Sequence, residues 1–398
     1  MDAHAPMTEA APTPQRGAAK AERDLRLDFF RGLSLFFIFI DHVPGNLLAY
    51  TTFHGLAFFD AAEVFIFISG FTAALVYGRS LMRNGALLAT AQIYRRVWQL
   101  YVAHIFLFVL FVAEVSYSVL VVHNAMYVEE MRVANFLQTP HLAVIRALLL
   151  NFQPQFLDIL PLYIVLLAGF PLVLLGLRVH RLLPFAVSGI LYGATLFWGW
   201  TPHTYPAGAP WYFNPLAWQF LFVIGATAGY SRVTGIWPFP SRLWFRMLAA
   251  GIAGVCAVVS LDWTIHWLYD PFPVFLAKLL WTHTLDKTNL APLRLVDFLA
   301  VAATTMIFVK SNNRFLPMKW ARPLIVCGQH SLHVFCLGIV LAVLGHFILS
   351  EFYDGVIMQA VVNLVGFATM IGLAYLLEWY KVAVRQASGL RAVTGASE

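Results

Sequence analysis

An arginine and, eleven residues later, an adjacent aspartate and histidine stand out in the first apolar segment of the chain. Arg31, Asp41 and His42 belong to the stretch LRLDFFRGLSLFFIFIDHVPGN. Eleven residues make almost three helical turns, so Arg31 and His42 would share nearly one helix face, about 16 Å apart along the axis. Ionisable groups in such apolar surroundings are functional candidates by default, although a helix cap or an interhelical hydrogen bond remains an alternative. This face could bind a ligand at one end and react with it at the other.

A second acidic pair follows in the next apolar segment. Asp60 and Glu63 have the i, i+3 spacing that puts both carboxylates on one helix face. We expect Glu63 to lie about as deep as His42 and to polarise its imidazole, unless it only bonds to backbone or to a serine such as Ser69. Asp41 points about 100° away from His42, so it could orient the histidine only through a neighbouring span or water.

Other polar residues interrupt apolar runs further along the chain. Arg95 and Arg96 could bind phosphates, or they could be positively charged anchors at the membrane surface. The polar islands are expensive if they face lipid, so we expect them to line a cavity, with interhelical hydrogen bonds as the alternative. The expected cavity and acceptor residues are Asp60, Asp158, Asn214, Gln219, Lys287, Asn289 and His330.

The elements that position these residues must be membrane-spanning helices. Hydrophobic residues make up 60% of the chain and charged residues only 12%, a composition that excludes a soluble fold. The apolar runs have the length of a helix that crosses a bilayer. We predict an all-α polytopic membrane protein of about ten spans, with short re-entrant or interfacial helices near 141–152 and 272–285. The predicted spans are 29–50, 56–77, 97–122, 156–177, 183–200, 215–231, 247–268, 293–310, 323–349 and 356–379.

Positive charge indicates the orientation of these spans, because Lys and Arg are retained on the cytoplasmic side. With the N-terminus inside, most of the 26 Lys and Arg residues fall in cytoplasmic loops or tails. We therefore expect both termini in the cytoplasm, with residues 1–24 as a disordered tail, 25–380 as the transmembrane domain and 381–398 as a second tail. The basic residues expected outside are Arg132, Arg146, Lys278, Lys287 and Arg294.

Several classes of function find no support in the sequence. The basic residues separate apolar runs and form no patch interleaved with aromatic residues, so we expect no nucleic-acid partner. Cys256, Cys327 and Cys336 all lie in apolar segments without CxxC spacing, which predicts neither a disulfide nor a metal site. GxSxG, HExxH, P-loop and GxGxxG motifs are absent from the sequence, and we expect no permanently bound cofactor.

Seven separated motifs together resemble the OpgC family, over about residues 25–380. Members of this family are bacterial inner-membrane enzymes implicated in succinylating osmoregulated periplasmic glucans, and they are related to the acyltransferase-3 membrane proteins. The motifs are LRLDFFRGLSLFFIFIDHVPGN, DAAEVFIFISGFTAALVYGR, RRVWQLYVAHIFLFVLF, FLDILPLY, NPLAWQFLF, DKTNLAPLRL and GQHSLHVF.

The resemblance implies roles for individual residues. The acyltransferase-3 hallmark is an Arg or Lys, ten intervening residues and a histidine taken as catalytic, and the pair Arg31 and His42 has that spacing. We expect succinyl-CoA as co-substrate, its phosphates held by Arg31 with Arg95 or Arg96, and a periplasmic glucan as acceptor. A cation for the free carboxylate of the donor would be His330, Lys287 or Arg294.

Further expectations concern the partners of the protein and whether it is an enzyme. We expect the lipid bilayer as partner and a homodimer as a possible assembly. Acyltransferase-3 proteins often continue into a soluble domain, which we do not expect after the last span. A transporter or flippase of an acylated sugar, or a sensor, remains the alternative to an enzyme.

Overall fold

The computed structural model describes residues 24–122, 126–206, 208–235, 242–269, 285–309 and 314–394. Throughout these ranges the protein is built from helices, and its only β-type contacts there are two isolated bridges in the loops. The all-α prediction is therefore confirmed. The helices are α1 (Leu25–Asp41), a 3₁₀ helix (Leu47–Thr51), α2 (Phe53–Leu56), α3 (Ala61–Val122), α4 (Met126–Glu130), α5 (Ala134–Gln138), α6 (Pro140–Leu148), α7 (Ile159–Val179), α8 (Leu183–Trp198), α9 (Pro215–Thr234), α10 (Leu243–Tyr269), α11 (Pro292–Phe308), α12 (Arg322–Gln329), α13 (Ser331–Glu351) and α14 (Val356–Thr394).

Several of these helices can cross a membrane. Among the described residues, five helices are both long enough and apolar enough, namely α3, α7, α10, α13 and α14. Helix α8 is apolar but shorter. The chain is therefore a membrane protein, whereas the number of ten spans and the cytoplasmic location of both termini stay predictions.

The first predicted span is wrong at its C-terminal end. Helix α1 stops at Asp41, and His42 is its C-cap residue. Pro44 has no backbone N–H to continue the helical hydrogen bonds, and Gly45 has a φ of +71°, which glycine adopts without strain. His42 consequently lies at the end of the helix, where the chain turns into the 3₁₀ segment.

Three further predicted spans differ from the observed helices. Most of the predicted span 56–77, the charged segment after it and the predicted span 97–122 form the long α3, which starts only at Ala61 and is interrupted by the non-helical backbone of Gly85 (φ +83°). The predicted span 323–349 is broken in two, because the backbone of His330 leaves the helical conformation between α12 and α13. Near 141–152 the predicted short helix exists as α6, whereas most of the predicted segment 272–285 lies outside the described residues.

Glycines allow the helices that carry the site to pack at backbone distance. A Cβ atom on Gly225 or Gly229 of α9 would collide with a backbone carbonyl of α3, and a Cβ on Gly70 of α3 would collide with a carbonyl of α9. Gly32 of α1 and Gly328 of α12 make the same reciprocal contact. Small residues at helix contacts are the usual means of close packing in membranes. Helices α1 and α3 are therefore fixed against their neighbours.

We expect Gly229→Leu to destabilise the protein by at least about 2 kcal/mol, because its side chain would overlap the carbonyl of Phe71 and force α3 and α9 apart. The measurement is the thermal unfolding midpoint of purified protein in detergent. Gly254→Leu is the matched control, since nothing lies within 4 Å of a Cβ at that exposed position of α10. Equal midpoints for both variants would contradict the importance of this contact.

Candidate functional site

Among the described residues, seven of the ionisable residues around the C-terminal end of α1 form a group that we call the polar centre. They come from the end of α1, the start of α3, the residue before α7, the loop before α11 and the first turn of α11. The sequence singled out all seven as candidates, although Arg294 only as a carboxylate-binding cation. The polar centre consists of Asp41, His42, Asp60, Glu63, Asp158, Lys287 and Arg294.

Two carboxylates and two cations in this group form a charge-balanced network. Arg294 donates from Nε to Oε1 of Glu63 at 2.8 Å, and its Nη2 lies 3.3 Å from Oδ2 of Asp60. The ammonium of Lys287 lies 2.6 Å from the same Asp60 oxygen. Glu63 is fully buried, and Asp60 and Arg294 are nearly so. Each buried charge thus has an opposite charge beside it, as burial in a membrane protein requires.

Asp60 and Glu63 also form the capping box that starts α3. Asp60 Oδ1 accepts from the N–H of Ala62 at 2.8 Å, while Glu63 Oε2 accepts from the N–H of Asp60 at 3.0 Å. The expected partnership of Glu63 with His42 is not seen, because both oxygens of Glu63 are occupied by the Arg294 side chain and this backbone N–H.

His42 has a defined tautomer. Its Nδ1 lies 2.6 Å from the backbone carbonyl oxygen of Ile38. A carbonyl oxygen only accepts hydrogen bonds, so Nδ1 carries the proton and Nε2 has a free lone pair in the neutral ring. Within the described parts of the chain, Nε2 has no hydrogen-bond partner. The geometry therefore presents Nε2 as a proton acceptor for a bound molecule.

The surroundings of His42 hold the ring in place. Phe156 packs against it with ring centroids 4.6 Å apart, and Phe156 itself has a φ of +69°, an uncommon conformation for a residue with a side chain. Asp41 does not contact His42 in this arrangement, because its Oδ1 accepts from the hydroxyl of Thr52 at 2.7 Å. Asp158 flanks the start of α7 and makes no capping hydrogen bond there.

A loop of residues 285–291 carries Lys287 into the polar centre. Asn214 and Asn289, expected to line a cavity, instead fasten this loop: Asn214 Nδ2 donates to Asn289 Oδ1 at 2.9 Å. The indole of Trp218 donates to the carbonyl of Lys287 at 3.0 Å, and Tyr192 donates to that of Leu290 at 2.7 Å. Sequence reasoning missed Trp218 and Tyr192, since tryptophan and tyrosine in an apolar helix have no distinguishing pattern.

Two other candidates make contacts elsewhere. Gln219 donates to the backbone carbonyl of Ser188 at 3.0 Å and so joins α9 to α8. This is an interhelical hydrogen bond, the role given above as the alternative to lining a cavity. His330 lies at the α12–α13 break, with Nε2 2.9 Å from a carboxylate oxygen of Glu378. His330 is thus engaged with a carboxylate of α14.

A cavity of about 570 Å³ lies next to these helices, and we call it the arginine cavity. Arg31 and Arg96 both line it, together with two arginines that the sequence indicated only as topology signals. Arg31 donates to the hydroxyl of Thr72 at 2.7 Å on the cavity wall. Arg95 is exposed and is not among the lining residues. The charged residues that line the cavity are the arginines Arg31, Arg79, Arg96 and Arg232 and the aspartates Asp24 and Asp28.

Aromatic side chains line the arginine cavity on the side of the polar centre. The ring of Phe65 lies 6.0 Å from that of Tyr163 and 6.2 Å from that of Phe335, and all three residues face the cavity. Phe65 follows Glu63 by two residues on α3, and Leu160 of the cavity wall follows Asp158 by two residues. The cavity therefore ends within about one helical turn of the polar centre along α3 and α7.

In the part of the chain that the structure describes, no group of three or more His, Cys, Asp or Glu side chains is arranged to hold a metal ion. The polar centre offers an imidazole acceptor and fixed charges for chemistry.

The fold and the site together define a helical membrane protein in which a histidine-bearing ionisable centre adjoins a cavity with more arginines than aspartates in its lining. A family model described as OpgC protein matches residues 23–382, so the chain belongs to the OpgC family. The match confirms the resemblance indicated by the sequence motifs, and family membership implies a glucan-related acyltransferase activity. Comparisons with curated proteins and with solved structures gave no match.

We expect Arg294→Met to destabilise the protein by about 3–5 kcal/mol, because it removes the cation that neutralises buried Glu63. Adding Glu63→Gln should recover part of the loss, since the remaining side chain is neutral. Thermal midpoints in detergent test both variants, with the exposed Arg178→Met as control. If Arg294→Met were as stable as Arg178→Met, the ion pair would contribute nothing to the stability of the protein.

Proposed function

We propose that this protein is an O-acyltransferase of the bacterial inner membrane that moves a succinyl group from cytosolic succinyl-CoA to hydroxyls of osmoregulated periplasmic glucans. The observation that supports it best is the tautomer of His42, whose Nε2 is free to accept a proton beside a network of buried charges. The choice of succinyl as the acyl group rests on family membership.

In this proposal the arginine cavity receives the donor. Coenzyme A carries several phosphates, and guanidinium groups bind phosphate oxygens through paired, charge-assisted hydrogen bonds. Arg31 and Arg96, with Arg79 and Arg232 on the same cavity wall, supply such groups. The thioester end of the donor extends past the aromatic side chains toward His42. Arg95 is left out of this clamp because it is exposed outside the cavity.

His42 acts as general base in a direct transfer. A glucan hydroxyl oxygen attacks the thioester carbonyl carbon while its proton moves to Nε2 of His42. The carbon–sulfur bond then breaks, and the imidazolium returns the proton to the leaving thiolate. No covalent enzyme intermediate is needed. The imidazolium would form within electrostatic range of both Lys287, whose positive charge opposes it, and Asp60, whose negative charge favours it.

We expect His42→Ala to lower the turnover number by about 10² to 10⁴, the contribution typical of a positioned general base. The assay reconstitutes the purified protein in vesicles, adds labelled succinyl-CoA and a linear or cyclic glucan, and measures ester-linked label. The exposed His203→Ala serves as control. Transfer by the His42 variant at the wild-type rate would refute its role as base. Movement of a labelled acylated sugar across the membrane without ester formation would favour the transporter alternative.

Neighbouring arginines allow a sharp test of the donor site. We expect Arg96→Gln to raise the donor KM about tenfold or more with little change in kcat, because a phosphate contact acts away from the reacting carbon. Arg95→Gln should leave the donor KM unchanged. The same rise for both variants would indicate a diffuse surface effect and would move the phosphate site out of the cavity.

A further inference from the structure

Lys287 is the cation of the polar centre that lies toward His42. Its charge is within electrostatic range of Asp41, His42 and Asp158, which come from two different elements. Arg294, by contrast, is bound to Glu63 and Asp60 on the side of α3. The two cations therefore differ in position: Arg294 neutralises the start of α3, and Lys287 also faces the end of α1.

The ammonium group of Lys287 has donor capacity to spare. It has three N–H groups, and the one acceptor found for it in the described ranges is Asp60, at 2.6 Å. The rings of Tyr212 and Phe213 lie 5.6 and 5.3 Å from its nitrogen and hold it from another side. Its side chain keeps 29% of its surface exposed, against 11% for Arg294, so it borders open space.

The backbone that carries Lys287 is held rigidly. Within the loop, the Asp286 carboxylate accepts from the N–H groups of Thr288 and Asn289, at 2.9 and 3.2 Å. The bonds from Trp218, Tyr192 and Asn214 described above fasten the same loop to α8 and α9. A short loop held by this many hydrogen bonds is typical of a site that positions a side chain before the reaction begins.

We infer that Lys287 is a catalytic residue whose ammonium donates a hydrogen bond to the oxygen of the thioester carbonyl as that oxygen becomes an oxyanion. The inference rests on the proposed function. When the glucan oxygen bonds to the carbonyl carbon, the electron pair of the C=O bond moves to this oxygen; it returns when the carbon–sulfur bond breaks. His42 carries the transferred proton throughout, and Lys287 neither gains nor loses one. Asp60 holds the ammonium in position.

The first experiment measures steady-state kinetics of Lys287→Met in the vesicle assay. We expect kcat to fall by about 10² to 10³, the loss typical of one oxyanion donor, with the KM for donor and glucan changed by no more than a few fold. The exposed Lys319→Met is the matched control and should behave as wild type. An unchanged kcat in Lys287→Met would overturn the inference.

A double variant separates this role from mere neutralisation of Asp60. In Asp60→Asn combined with Lys287→Met, both members of the ion pair are replaced, so a purely charge-balancing lysine is no longer needed. We expect the double variant to regain thermal stability relative to Lys287→Met but to keep its low kcat. Recovery of kcat together with stability would overturn the inference.

Chemical rescue supplies an independent readout. Alkylation of a Lys287→Cys variant with 2-bromoethylamine rebuilds an ammonium group of nearly the same length, and we expect it to restore most of kcat. Wild-type protein treated in the same way controls for reaction at Cys336, which is partly buried. Failure of fully alkylated protein to recover would count against Lys287. If Lys287→Met is fully active while His42→Ala is inactive, the proposed function stands without this inference; a wild-type protein that transfers no acyl group overturns both.

Discussion

The neutralisation of buried charge governs the architecture of this protein. An unpaired carboxylate or guanidinium in apolar surroundings costs several kcal/mol, so Glu63 and Asp60 can be buried only where cations meet them. Both cations come from a distant part of the sequence, Lys287 from the loop before α11 and Arg294 from its first turn. The network therefore ties the start of α3 to the start of α11. The hydrogen bonds from α8 and α9 to the 285–291 loop serve the same neutralisation, because they hold Lys287 next to the carboxylates.

His42 depends on this frame in a different way. Its side chain belongs to no ion pair, and in the described ranges the only hydrogen bond of the ring goes to the carbonyl of Ile38, one turn back in its own helix. The same carbonyl oxygen also accepts from the backbone N–H of His42 at 3.1 Å, so one acceptor in the last turn of α1 serves both groups. The helix end thus sets the tautomer of the ring, and the neighbouring charges set the electrostatic conditions under which the ring would accept a proton.

Much of the candidate site was predictable from residue types, whereas its pairings were not. Costly ionisable residues in apolar segments pointed to His42, Asp60 and Glu63, because burial of charge is selected against unless it has a use. The partner of Glu63 was missed, since Arg294 lies more than two hundred residues away and short-range spacing carries no information about such contacts. The end of α1 could have been read from Pro44 and Gly45. The sequence could not show that Arg96 lines the cavity while Arg95 is exposed, because the burial of adjacent residues on one helix depends on how other helices pack against it.

The glycine contact between α1 and α12 has a consequence for the dimensions of the substrate. Gly32 and Gly328 lock α1 against α12 at backbone distance, so α1 can neither slide nor rotate without a collision. Arg31 is the residue directly before Gly32, and His42 lies about 16 Å from Arg31 along the same rigid helix. In a donor complex this fixed distance would select the length of the thioester. Only a donor of matching length can place its phosphates at Arg31 and its reacting carbon at His42 at the same time. Truncated thioesters would reach one end and miss the other, however well their acyl group fits.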